Sequence, residues 1–332
     1  MYYEYWTWWL FYIPLLPYWL YLTVRSGNPI WFTYANPGIF MGGFFGESKK
    51  DILNSIPTEF LPKFCFINNG LSATNAYSLM QQKQMEFPVI CKPNIGERGY
   101  LVKRIDDLGQ LKDYTAAIGE DFIIQEYINY PVEVGVFYHK YPSGKDAGVI
   151  SITLKEFMTV VGDGKCTIEQ LIKQNTRYRF QLNRLRKSMG NVRLHVVPIK
   201  NERVLLEQIG NHALGTKFIN GNYLINHTLN ETFSSIAENI HGFYFGRFDL
   251  RAASIEDLYA GKNFKIMELN GVSSEPGHIY QPGYGIFRAY RDLIRFWHIA
   301  FKISMENKKT GQGKIPLNQF LKTVVNHFWG NK

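Results

Sequence analysis

Two runs in the last third of the chain, GRFDLR at 246–251 and KIMELNG at 265–271, constrain its fold more than any other feature. KIMELNG reads as a buried strand through Ile266, Met267 and Leu269, yet Glu268 and Asn270 interrupt it at alternating positions. Successive strand side chains point to opposite faces, so these two share one face. Asp249 sits in a run of the same kind. With the two strands as neighbours, Asp249, Glu268 and Asn270 converge on one point, and three oxygen-bearing side chains suit a hard cation. Mg²⁺ is held by a few carboxylate oxygens while substrate phosphates complete its octahedron. A polar solvent face of a sheet accounts for any one of the three, but not for their alternation with strongly apolar neighbours.

A phosphate-binding element should accompany such a site. FPVICKPNIGERGYLV at 87–102 places Lys92 at the end of an apolar strand and follows it with a loop containing Gly96 and Gly99. Glycines let backbone N–H groups approach phosphate oxygens, and a lysine adds a point charge. The pattern is not G-x-x-x-x-G-K-[ST], and no helix follows at once, which disfavours a Walker-type fold.

Around these runs the pattern predicts an α+β (α/β) chain. Short strands are expected at 30–35 and 63–67, with a helix at 48–56 capped by Ser48 and another at 72–85. Strands follow at 100–105, 121–128, 133–139 and 148–157, and helices at 108–118, from the Thr167 cap onward, and at 230–243. The basic stretch 177–187 reads as a solvated helical face in preference to a phosphate or lipid patch. Residues 305–314 read as a polar linker. The tail shows helical spacing at Leu317, Phe320, Leu321, Val324, Val325 and Phe328, as a docking helix would. The expected segments are 1–27, an apolar aromatic N-terminus; 28–87, a small α/β region; 88–300, the main domain; and 301–332, linker and tail.

The formal net charge of +9 favours anionic partners such as nucleotides, phosphates or an acidic membrane face. No zinc-finger spacing or RNP-like signature is present, so nucleic acid is not an expected partner. Cys65, Cys91 and Cys166 are isolated, which suits a reducing, cytoplasmic setting, and small buried hydrophobes is the expected reading of Cys91 and Cys166. From Tyr5 to Val24 no residue is charged. That length matches the roughly 20 residues of a membrane-crossing helix, but Pro14 and Pro17 break it and its aromatics suit an interface. The sequence supports two readings. The segment is an interfacial or re-entrant anchor on the inner face of the membrane, or it packs on the protein's own surface or on a second copy in a homodimer.

The order PVICKP…GERG, IIQEYI…PVEVGV, VVGDGKCTIEQLI, GRFDL and IMELNG resembles the ATP-grasp superfamily over residues 88–285. The nearest likenesses are D-alanine–D-alanine ligase and the ligase module of cyanophycin synthetase. The resemblance implies two α+β lobes clasping ATP behind a short N-terminal α/β lobe. It further implies that Lys92 contacts the nucleotide phosphates, that Gly96–Gly99 is the small lid, and that Gln125, Glu126, Tyr127 and Ile128 form the hinge holding adenine. Glu133 would bond the ribose, Lys155 would reach a phosphate, and residues 160–165 would form the larger lid. Arg247 would face the transferred phosphoryl group, and Asp249, Glu268 and Asn270 would hold Mg²⁺. The implied reaction joins a small-molecule carboxylate to an amine through an acyl phosphate. A hydroxyl-directed kinase and a non-catalytic nucleotide-binding scaffold are the competing readings. His278, in SSEPGHIYQPGYG, either lines the acceptor side or is a loop histidine of no special role.

Overall fold

The computed structural model describes residues 3–96, 99–207 and 210–329. It divides into two compact units, one formed by Met1–Thr153 with Asn220–Lys332 and the other by Leu154–Ile219. The class is α+β: Phe64–Ile67 with Phe122–Glu126, Val89–Pro93 with both Lys103–Ile105 and Phe122–Glu126, Phe245–Ala252 with both Val132–Lys140 and Phe264–Asn270, and Thr159–Val161 with Arg203–Leu205 all pair antiparallel.

The first unit begins with α1 (Trp8–Tyr12), a 3₁₀ turn (Ile13–Leu15) and α2 (Leu16–Ser26). Pro14 and Pro17 fall in the first turns of the two later pieces, where a missing N–H costs nothing. The prolines thus divide the segment as expected, and α2 at 11 residues spans only about 16 Å. No helix among the described residues is long and apolar enough to cross a membrane. One side of the segment buries Phe11, Leu15 and Leu22. Residues 30–35, expected as a strand, instead form a 3₁₀ turn, Trp31–Ala35, in which every residue is buried. Strand alternation would expose half of them. A turn packed against α10 (Ile286–Lys309) buries all five, so tertiary burial overrides β propensity here. Residues 305–309, expected in a linker, continue α10, because Asn307 is buried and its amide donates to the Tyr34 carbonyl at 2.8 Å.

Ser48 caps α3 (Lys49–Ser55) by accepting from the Asp51 N–H at 3.2 Å, as its sequence predicts. Next comes a four-stranded sheet, β1 (Phe64–Ile67), β2 (Val89–Pro93), β3 (Lys103–Ile105) and β4 (Phe122–Glu126), in the order β1–β4–β2–β3. Helices α4 (Ala73–Gln82) and α5 (Leu108–Ile118) enclose a core of Ile67, Met80, Val89, Leu111 and Ile124. Cys65 and Cys91 belong to that core, and burial pushes both thiols up, so they behave as small hydrophobes. Cys166 is half-buried.

Along the chain follow β5 (Val132–Lys140), β6 (Ala147–Glu156), β7 (Thr159–Val161), β8 (Arg203–Leu205), β9 (Lys217–Asn220), β10 (Phe245–Ala252) and β11 (Phe264–Asn270). Five of them form the large sheet, ordered β11–β10–β5–β6–β9. The second unit carries the β7–β8 pair with α6 (Ile168–Gln174) and α7 (Leu182–Leu194) around Met158, Val160, Ile172 and Leu185. Thr167 and Gln170 form the reciprocal cap on α6. In the basic stretch, Arg184 pairs with Glu207 at 2.7 Å and Arg186 with Glu169 at 2.6 Å, which fits a structural face. Back in the first unit, α8 (His227–Glu238) lays Phe233 against Phe248, and α9 (Ile255–Tyr259) precedes β11. The tail helix α11 (Leu317–Trp329) packs Phe320 among Phe32, Phe44 and Phe45, while Leu317, Leu321 and Val325 stay about half exposed. Its docking is therefore partial, and the Phe328 side chain lies outside the described residues.

Residues 36–43 strap this sheet. Asn36 is fully buried, donates to the carbonyls of Gly42 (2.9 Å) and Phe245 (2.8 Å), and accepts from the N–H groups of Tyr244 and Phe245 (2.8 Å each). A Cβ on Gly43 would stand 2.6 Å from Gly271, so only glycine allows the strap to reach the end of β11. There the Gly42 and Gly43 carbonyls take the N–H groups of Val272 and Ser273. Asn36→Ala strands several buried backbone groups and is expected to lower stability by at least about 3 kcal/mol in urea denaturation.

Candidate active site

The geometry of the site follows from one extra residue. Across β10 and β11, Arg247 faces Asn270 and Asp249 faces Glu268, but Leu250 faces Ile266, so Met267 is a β-bulge. Strict alternation would place Glu268 on the same face as Phe264 and Ile266, which are core residues. The bulge shifts parity by one. Phe264, Ile266 and Leu269 then share the core face, and Glu268 and Asn270 share the opposite face with Arg247 and Asp249.

On that face Arg247 donates from Nε (3.1 Å) and Nη2 (2.9 Å) to Asp249 Oδ2, and Asn270 Nδ2 donates to the same oxygen at 2.8 Å. Gly135 lies opposite Asp249 on β5, where a Cβ would stand 3.1 Å from Arg247 Cδ and 3.3 Å from Asp249 Oδ1. The bulge also leaves the Met267 carbonyl to Lys92. Lys92 Nζ donates to it and to Gln125 Oε1, both at 2.9 Å. Lys92 is almost wholly buried, and that burial pushes its ammonium down to about 8, against the opposing pull of Glu268.

The structure thus gathers Lys92, Gln125, Arg247, Asp249, Glu268 and Asn270 about one face. Glu133 lies further along it as half of a buried ion pair, its Oε2 accepting from Arg251 Nε at 2.8 Å. Arg251 also donates to the Ile128 carbonyl at 2.8 Å and lies over the Tyr127 ring, which Arg104 flanks as well. Glu126 is held elsewhere, its carboxylate accepting from the Lys63 N–H at 3.0 Å. Gly96 and Gly99 both have positive φ, while residues 97 and 98 of that loop lie outside the described residues. Lys155 and residues 160–165 belong to the second unit. There Lys155 Nζ lies 6.0 Å from the Phe218 ring, and Asp163 accepts from the N–H groups of Lys165 and Cys166.

Sequence reasoning missed four residues. Lys49 donates to the Gly96 carbonyl and lies near enough to Lys92 to depress its charge, while Asn94 ties β2 to α3 by accepting from Lys50 N–H at 3.0 Å. Arg251 is the third alternate charge of GRFDLR, and period two from Arg247 and Asp249 marks it. Glu275 presents its carbonyl to Arg247 at 2.8 Å and its carboxylate to the Tyr280 hydroxyl at 2.6 Å. With Val272–Ser274 it lines a cavity of about 150 Å³ walled by Trp19, Trp31, Phe44 and Trp297. His278 is a buried structural link, between the Ser151 hydroxyl (2.6 Å) and Asp292 (3.2 Å).

Chemically, two carboxylates and a carboxamide offer hard oxygen donors that fit Mg²⁺, with a cation on either side to meet phosphate. Among the described residues no three His, Cys, Asp or Glu side chains gather at one point, so Asn270 is needed to complete the set. No family model and no curated protein matches the chain. Among solved structures it is similar to a bifunctional glutathione synthetase from Pasteurella multocida (13% identity, TM-score 0.39, 74% of this chain and 35% of that one). It is also similar to D-alanine–D-alanine ligases from Bacillus anthracis (13%, 0.44, 79% and 68%) and Coxiella burnetii (7%, 0.44, 83% and 61%). The chain thus spans about a third of the glutathione synthetase, and the case for its chemistry rests on its own residues.

Two outcomes follow from the burial of charge. Glu133→Gln or Arg251→Met removes the opposite charge from a buried ion pair and is expected to cost about 3–5 kcal/mol, with the double variant costing less than the sum in denaturant titration. Burial pushes the Glu275 carboxyl from 4.5 up to about 7. Between these values the folded chain keeps a proton that the unfolded chain releases. Its favourable contribution is therefore full below 4.5 and lost as pH rises through about 7. Glu275→Gln should raise Tm over the parent by a few degrees at pH well above that window and leave it unchanged well below.

Proposed function

We propose that the chain is an ATP- and Mg²⁺-dependent carboxylate–amine ligase of the ATP-grasp type, working through an acyl phosphate. The reading rests on the bulge at Met267, which aims Glu268 and Asn270 at Asp249 and leaves a carbonyl to orient Lys92. Asp249, Glu268 and Asn270 would hold Mg²⁺, which when bound neutralises charge on the transferring phosphoryl group. Lys92 meets the nucleotide phosphates, and their negative charge opposes the effect of burial and keeps its ammonium protonated. Arg247, fixed by Asp249 and the Glu275 carbonyl, faces the phosphoryl group. The backbone at Gln125–Ile128 borders adenine, and Glu133, held by Arg251, faces the ribose.

In the first step a carboxylate oxygen of the substrate attacks the γ-phosphorus, the bond to the β-phosphate oxygen breaks, and ADP leaves. In the second an amine nitrogen attacks the acyl carbon, inorganic phosphate departs, and the nitrogen loses a proton to give the amide. The chain's part is placement and charge, which such transfers chiefly require. The aromatic cavity beside Glu275 suits the apolar part of a substrate.

With Mg·ATP, pooled carboxylic acids and hydroxylamine as a trap, hydroxamate is expected to appear together with ADP. ADP formed only with added alcohols, and without hydroxamate, would mean a kinase. Glu268→Ala should lower ADP release by about 10²–10³-fold with an unchanged melting curve, and full turnover in that variant would overturn the metal assignment.

A further inference from the structure

The N-terminal segment is half buried by a sharp division of its surface. While Phe11, Leu15 and Leu22 face inward, Trp9, Leu10, Ile13, Leu16, Leu20 and Val24 are between 42% and 82% exposed. These six recur at helical spacing, and none of them is charged. A soluble protein seldom leaves so long an apolar stripe in water without a use for it.

What lies beside the stripe identifies its occupant. The segment packs along α10, with Phe11 against Tyr290 (5.3 Å), Tyr12 against Trp297 (6.1 Å) and Arg25 over Phe301 (5.8 Å). At 100° per residue, Phe287 and Ile294 come next around α10 from those contacts. Both are exposed, Phe287 by 85%. Beyond them come Arg288, Arg291, Arg295 and Lys302, all exposed. The acidic residues of α10 offset this row only in part. Asp292 is turned inward to His278 and Tyr284, and Glu306 is engaged by Lys145 and the Ser143 N–H. Arg291 reaches Asp292 at 3.5 Å.

We infer that this face docks on an anionic lipid bilayer, with α1 and α2 lying in the interface and the α10 cations on the headgroups. An apolar stripe bearing Trp, bordered by Arg and Lys, is the form of a helix that lies on a membrane instead of crossing it. A second copy would meet the same row of positive charge and be repelled by it, whereas acidic headgroups are attracted. The inference is independent of the ligase reading, since the docking residues lie outside the charged face of the large sheet.

The test is co-sedimentation of the full chain with vesicles of phosphatidylcholine, with and without one-third phosphatidylglycerol. Binding is expected to be about tenfold or more stronger to the anionic vesicles and to weaken with salt. Leu16→Glu/Leu20→Glu and, separately, Arg288→Glu/Arg295→Glu should each reduce it by about tenfold or more. The second pair alters only exposed positions, so an unchanged melting curve separates loss of docking from loss of fold. Equal or no binding to the two vesicle types would overturn the inference. So would a dimer in gel filtration that Leu16→Glu/Leu20→Glu dissociates while the parent ignores lipid.

Discussion

That Glu268 and Asn270 share the charged face of the large sheet with Arg247 and Asp249 depends on Met267 standing outside the ladder. A strand has two faces, and β11 needs both: one for the core under α8, the other for oxygen donors. Alternation alone cannot serve Ile266 and Glu268 at once, because their positions have the same parity. The bulge resolves the conflict. It also frees the Met267 carbonyl, and the chain uses that to hold Lys92 from the neighbouring sheet. A single inserted residue therefore turns Glu268 and Asn270 toward Asp249 and supplies the carbonyl that Lys92 meets.

Holding so many charges in a nearly dry place requires partners for each. Arg247 and Asn270 share Asp249, Arg251 secures Glu133, and Gln125 with Met267 secures Lys92. Buried ion pairs of this sort add little to stability by themselves, since desolvation offsets their attraction. They do fix geometry, and the proposed phosphoryl transfer would need groups placed before a substrate arrives. Stability comes from elsewhere: the aromatic packing of α10 against Trp31 and Phe32, and the strap in which Asn36 satisfies four backbone groups.

Much of this is legible in the sequence, for a physical reason in each case. Glu268 and Asn270 stand two apart among apolar residues, so their common face can be read directly. Ser48 and Thr167 announce their helices because a side-chain oxygen must meet an orphan N–H. The bulge is not legible, since no glycine or proline marks Met267. Lys49 is not either, because only the closure of α3 onto β2 brings it to Gly96, across 47 positions of chain. The stretch 30–35 misleads because its apolar β formers are buried on all sides and not on one. The N-terminal segment is readable as interfacial or self-packed but not as both, and the structure buries one of its faces and leaves the other exposed.

The central claim is that these side chains form a single divalent-cation site completed by nucleotide. Titrating Mn²⁺ with and without ADP, and counting free ion by electron paramagnetic resonance, tests it most directly. One tight Mn²⁺ per chain is expected, formed only with nucleotide and lost in Glu268→Ala. A chain that binds no Mn²⁺ in the presence of ADP, or one whose site is indifferent to Glu268→Ala, would contradict it.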